Sequence, residues 1–121
     1  MSIKENILYP LKLEGMGRNT INAKYKAILE KLHLEDDPKK TSKNISGGEK
    51  QKIALARALI HEPKCIIADE PTGNLDREYT QEIGDILIDA NKNGQTICLI
   101  THDIHLLNYL KSKTNIRIFQ M

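Results

Sequence analysis

The 121 residues predict an α/β protein in which a small helical subdomain leads into an incomplete parallel sheet. Three features point that way. Apolar residues recur at helical spacing through the first third of the chain; from residue 45 onward short apolar runs alternate with amphipathic stretches; and Gly or Pro punctuates most of the junctions. The division is placed at residue 60, with residues 1–60 helical and residues 61–121 forming part of an α/β core.

The elements follow in order. In residues 3–13, Ile7, Leu8, Leu11 and Ile3 share a helical face, Pro10 predicts a break or kink, and Gly15 and Gly17 end the segment. Asn19 or Thr20 is a candidate cap for the next helix, in which Ile21, Tyr25, Ile28, Leu29 and Leu32 form the apolar stripe. Asp37-Pro38 and the polar residues to Asn44 read as a loop. Ser46-Gly47-Gly48-Glu49 has capping-box spacing, and the helix it starts runs to about Ile60, with Ile53, Leu55, Ala56, Leu59 and Ile60 inward. Pro63 stops that helix before a buried strand over residues 64–68. A helix over residues 79–92 aligns Ile83, Ile86, Leu87 and Ala90 and ends at Gly94. A second buried strand (96–101), a short helix (104–110) and a third strand (115–120) complete the alternation.

Composition narrows the function. With 40% hydrophobic residues the chain supports one core, and with a net charge of +2 its 28% charged residues give a surface of mixed sign, Glu35-Asp36-Asp37 offsetting Lys39-Lys40. Aromatics are scarce and no basic stripe accompanies them, so no nucleic-acid partner is predicted. No apolar run approaches membrane-spanning length, which makes any membrane link a matter of a partner rather than direct insertion. Cys65 and Cys98 lie inside the two strand runs and read as small buried hydrophobes in a reducing, cytosolic compartment.

In an open parallel sheet, ligands sit beyond the carboxyl ends of the strands, and Asp69-Glu70 and His102-Asp103 both fall there. They are expected to converge on one site. Asp69 suits a magnesium ion, Glu70 a water to be polarised for attack on a terminal phosphate, and His102 a phosphate contact. Ser46, Gly47 and Gly48 offer backbone amides and a hydroxyl at a positive helix end, where an anion can be held. Each feature alone has a plainer reading: an acidic pair opening a solvated loop, a capped helix start, a surface histidine. Their succession within residues 45–76 argues for the functional one.

That stretch, ISGGEKQKIALARALIHEPKCIIADEPTGNLD, resembles the ATP-binding-cassette (ABC) transporter ATPases, whose core is a P-loop NTPase fold. Ile45-Ser46-Gly47-Gly48-Glu49 resembles the family signature, Cys65–Asp69 the Walker B strand, Glu70 the catalytic glutamate, Gly73-Asn74-Leu75-Asp76 the D-loop, and His102 the switch histidine. The departures are Ile45 for leucine, Glu49 for glutamine, Lys52 for arginine, and glycine-asparagine for serine-alanine in the D-loop. Glu49 with Pro71-Thr72-Gly73-Asn74-Leu75-Asp76 resembles the branch serving lipoprotein release, macrolide export and antimicrobial-peptide export.

The resemblance implies ATP and Mg2+ as cofactors, with Ser46, Gly47, Gly48, Glu49 and Asp76 on the nucleotide side, Asp69 on the metal, and Glu70 and His102 catalytic. It implies a head-to-tail partnership with a second ATPase subunit, a membrane-spanning permease reached through residues 3–34, and a cytoplasmic position at the inner face of the membrane. No G-x-x-x-x-G-K-[ST] run occurs in the 121 residues, since no glycine is followed by lysine. The family's P-loop, base-stacking aromatic and glutamine loop are therefore expected upstream, the 121 residues alone are expected neither to bind ATP tightly nor to hydrolyse it, and bare sheet edges are expected to drive self-association or to displace the last strand. The rival expectation is a non-catalytic binding or regulatory module that docks on a full-length subunit.

Overall fold

The computed structural model describes residues 2–41, 43–73 and 75–117. Five helices and two strands follow one another as α1 (Ile3–Leu13), α2 (Arg18–Leu32), α3 (Gly47–Leu59), β1 (Cys65–Asp69), α4 (Arg77–Lys92), β2 (Thr96–Ile100) and α5 (Ile104–Lys113).

Helix α1 starts at Ser2, whose hydroxyl accepts the Glu5 N–H at 3.1 Å. It runs unbroken through Pro10, contrary to the expected break. Proline removes one donor, but Ile7, Leu8 and Leu11, on either side of it, are buried, and that burial outweighs one lost hydrogen bond. Helix α2 begins earlier than expected. Gly17 is its N-cap and Asn19 and Thr20 lie inside it, so neither caps; the extended Gly17 leaves the first amides to solvent. At its other end His33 adopts a left-handed conformation (φ 52°), and the Leu34 N–H reaches back to the Leu29 carbonyl at 2.9 Å.

The loop from Leu34 to Ile45 is tied to the helices at two places. The Tyr25 hydroxyl donates to Asp36 Oδ1 at 2.8 Å, and Thr41 forms an antiparallel bridge with Ser2. Burial, and then the bond to Asp36, raise the Tyr25 hydroxyl pKa well above the usual phenol value. Helix α3 carries the expected capping box, in which Ser46 Oγ accepts the Glu49 N–H at 3.1 Å and Glu49 Oε1 accepts the Ser46 N–H at 3.5 Å. Its inward residues Ile53, Leu55, Ala56, Leu59 and Ile60 are all buried.

Strands β1 and β2 pair in parallel, Cys65 opposite Thr96 through to Asp69 opposite Ile100. Period-2 alternation sends Ile66 and Ala68 into the core, which they share with residues of α1, α2, α3 and α4. The other face carries Cys65, Ile67 and Asp69 beside Thr96, Cys98 and Ile100, and all six are exposed. The expectation of strands buried on both faces, and of buried cysteines, is corrected here. The helices cover one side of the sheet, and among the described residues nothing covers the other, so Ile67 stands 72% exposed and Ile100 44%. The third strand expected over 115–120 is not formed at residues 115–117; residues 118–120 lie outside the described residues. Helix α4 starts two residues before its predicted position because Asp76 caps it, and α5 extends to Lys113. Among the described residues no helix is long and apolar enough to cross a membrane.

Candidate functional site

The polypeptide leaves β1 through Glu70, which has φ 47°, a left-handed conformation that a residue with a long side chain rarely adopts. Three hydrogen bonds hold it there. Its N–H continues the ladder to the Ile100 carbonyl at 2.7 Å, Oε1 accepts the His102 N–H at 2.9 Å, and Oε2 accepts the Thr101 hydroxyl at 3.2 Å. The tips of β1 and β2 are thereby locked together around one carboxylate. A strained backbone kept by several bonds is a recurrent property of functional loops.

A second set of bonds lies just behind. The buried Thr72 hydroxyl donates to Asp103 Oδ2 at 2.7 Å, while Asp103 Oδ1 accepts the Leu106 N–H at 3.1 Å and so caps α5. Burial alone pushes the Asp103 carboxyl up. The Thr72 hydroxyl, the Leu106 and His105 amides and the His105 charge outweigh it and hold the group below the usual carboxylate range. Between these loops and the start of α4 opens a cavity of about 890 Å³, lined by Glu70, Thr72, Gly73, Arg77, His102 and His105 among others.

Glu70 and His102 are thus brought together as expected, but Asp69 is not. It points to the uncovered face of the sheet, exposed beside Ile100, and does not line the cavity. Asp69 continues the alternation of Cys65 and Ile67 on that face, whereas Glu70 leaves the strand in its left-handed turn and its carboxylate reaches Thr101 and His102. Asp76 caps α4, its Oδ1 accepting the Tyr79 N–H at 3.0 Å.

The Ser46-Gly47-Gly48 turn adjoins the same end of the molecule without lining the cavity. Gly48 is buried against the Tyr79 ring so closely that a Cβ there would run into it, and a Cβ on Gly47 would touch Leu75 at 3.8 Å. At Gly73 (φ 37°) a Cβ would meet Gln51 Nε2 at 2.8 Å. The glycines of the turn and of the loop after β1 therefore let α3 and α4 approach each other, a packing role that stands whatever the turn binds.

Lys52, which departs from the family's arginine, is buried and paired, a role the sequence does not announce. It is 6% exposed, paired with Glu82 of α4, and its ammonium lies 5.4 Å from the centre of the Tyr79 ring. A signal existed, since Lys52 falls on the inner stripe of α3 one turn before Ala56. Its partner, thirty residues further along the chain, could not be read from spacing. Asp103 is expected at the strand end and Thr72 lies in the Pro71–Asp76 run, but nothing in the sequence assigns either a role or pairs them; the 2.7 Å bond between them does.

Parallel strands that end in an acid and a histidine, with a glycine-rich helix start beside them, place the molecule in the P-loop NTPase class, to which the solved structures it matches belong. The chain belongs to the ABC transporter family, whose profile matches residues 1–73. It is 38% identical over 112 residues to the cell division ATP-binding protein FtsE of Streptococcus pneumoniae, covering 93% of this chain and 49% of the relative. It is 42% identical over 102 residues to the lipoprotein-releasing system ATP-binding protein LolD of Legionella pneumophila, covering 82% and 44%. The dimeric structure of MJ0796, a bacterial ABC transporter cassette, superposes with a TM-score of 0.77 at 30% identity, over 90% of this chain and 49% of that one. The chain spans about half the length of the relatives it matches.

Proposed function

We propose that these residues form the C-terminal portion of an ABC transporter ATPase subunit, one that couples ATP binding and hydrolysis to transport by a membrane partner. The observation that carries the reading is the Glu70 carboxylate, held between the two strand tips and facing a cavity with His102 beside a capped glycine turn. In this reading Ser46, Gly47 and Gly48 close over the γ-phosphate of an ATP bound mainly by a second subunit. Glu49 holds that turn in shape and Asp76 lies at the subunit contact. Glu70 orients and polarises the attacking water, and His102 contacts the phosphate.

The residues fit the cofactors. The Ser46 hydroxyl accepts one bond from within the helix and keeps its own proton to donate to an anion. Asp69 is an exposed carboxylate at a strand end, on the uncovered face, and suits a hard cation that takes oxygen ligands. Asp69 would hold Mg2+, which would supply positive charge against the nucleotide phosphates. Glu70 retains acceptor capacity on both oxygens after bonding Thr101 and His102, so it can still take a proton from water. The helical subdomain, residues 3–34, is the surface proposed to meet a permease at the inner face of the membrane, and LolD suggests the lipoprotein-release branch.

Complementation tests the proposal. The 121-residue chain is mixed with a full-length, P-loop-bearing ABC ATPase subunit whose own signature serine has been replaced. ATPase activity is expected to return, and Ser46→Ala in this chain to abolish it. Alone, the chain is expected to show no turnover, because the phosphate cradle that provides most of the electrostatic stabilisation is not in these residues. Turnover by the chain alone, lost on Glu70→Gln, contradicts this division of labour. Binding to the partner without restored turnover supports the docking-module alternative instead.

A further inference from the structure

The signature turn of this chain carries Glu49 where the resembling family has glutamine, and so places a full negative charge in the first turn of α3. Such a carboxylate stabilises the helix, but it stands beside the amides proposed to receive a phosphate, where a like charge opposes binding. The structure supplies a counter-charge from outside the helix. Lys40 Nζ lies 2.9 Å from Glu49 Oε2, while Oε1 serves the capping box.

Lys40 is not a loose surface lysine that happens to lie near. Its own N–H bonds the Asp37 carbonyl at 3.1 Å, and the Lys39 N–H bonds Asp37 Oδ1 at 2.9 Å. Asn44 closes the loop from the other side, accepting the Thr41 N–H at 2.7 Å and donating to the Lys39 carbonyl at 3.4 Å. The loop is anchored to α1 through the bridge between Ser2 and Thr41 and to α2 through Tyr25 and Asp36. Glu35 and Asp37 also face Lys40, yet its hydrogen bond goes to Glu49. That bond holds the Glu49 carboxyl below its usual range and raises the Lys40 ammonium, so both stay charged together.

We infer that Lys40 is a positioning residue of the signature turn, which neutralises and tethers Glu49 so that a glutamate can occupy the site without repelling the nucleotide phosphates. The inference rests on the function proposed above.

The test uses the complementation mixture. Lys40→Met is expected to raise KM for Mg-ATP about fivefold to tenfold while kcat changes less than twofold, as loss of one nearby counter-charge predicts. Lys40→Arg is expected to restore KM. In the Glu49→Gln background, Lys40→Met is expected to produce no further change, because the charge it balanced is gone. Equal effects of Lys40→Met in both backgrounds, or none in the unmodified chain, overturn the inference and leave the proposed function standing. Failure of the unmodified chain to complement at all removes the proposed function, and this inference with it.

Discussion

The helical first half of the chain and the α/β second half carry similar proportions of apolar residues, yet the helices of the one are closed and the sheet of the other is open. In α1, α2 and α3 each apolar stripe meets another, and Ile7, Leu11 and Leu32 are completely buried. In β1 and β2 half of each strand meets helices and half meets nothing among the described residues, leaving Ile67 and Ile100 in solvent. A helix buries one stripe and is satisfied by one neighbour, whereas a strand with apolar residues on both sides needs two. The sheet of this chain therefore displays an unmet requirement that the helices do not.

Substitutions at the two places separate them most sharply. Leu11→Ala, in the closed half, is expected to destabilise the fold by about 2–5 kcal/mol in denaturant titrations. Ile67→Ser, on the open face, is expected to change stability by no more than about 0.5 kcal/mol while lowering self-association in sedimentation. A large loss of stability at Ile67 shows that its face is covered in solution.

The seam between the halves gives an intermediate effect. Gly48→Ala is expected to destabilise by about 1–3 kcal/mol through the collision with Tyr79, although alanine is the better helix former. In a Tyr79→Ala background the same change is expected to reverse sign and stabilise. If it remains destabilising there, the ring is not what Gly48 accommodates.

A smaller effect is expected at the strand tips. Thr72→Val leaves Asp103 without one donor and is expected to cost about 1 kcal/mol near neutral pH. Because the folded carboxyl titrates below its unfolded value, the stability it contributes is present above the unfolded pKa and lost as pH falls through the folded one. The difference between Thr72→Val and the unmodified chain should therefore shrink on acidification below about pH 4. A difference that stays constant into that range excludes Asp103 as its source.

The helices were legible in the sequence because their stripes, the capping box at Ser46 and the stop at Pro63 each leave a local pattern. The strands were located to within one residue for the same reason, but their burial was misjudged. A continuous apolar run such as residues 64–68 signals what both faces of a strand suit, not whether both are covered. Glu70 and His102 could be paired from strand ends alone. The side of the sheet on which Asp69 falls required counting the alternation, and the left-handed turn at Glu70 has no sequence signature, since glutamate is not a residue that favours it. Lys52 was hidden by its type: a lysine is taken as solvated unless its partner is known, and Glu82 is thirty residues away.

Cys65 and Cys98 sit on the bare side of the sheet, each diagonal to the other across the strand pair. Thiols there are open to an alkylating reagent while that side stays bare and shielded once another polypeptide settles on it. The chain thus carries two native probes of its own completion, readable by mass spectrometry from the modification rate before and after a candidate companion is added, with no label introduced.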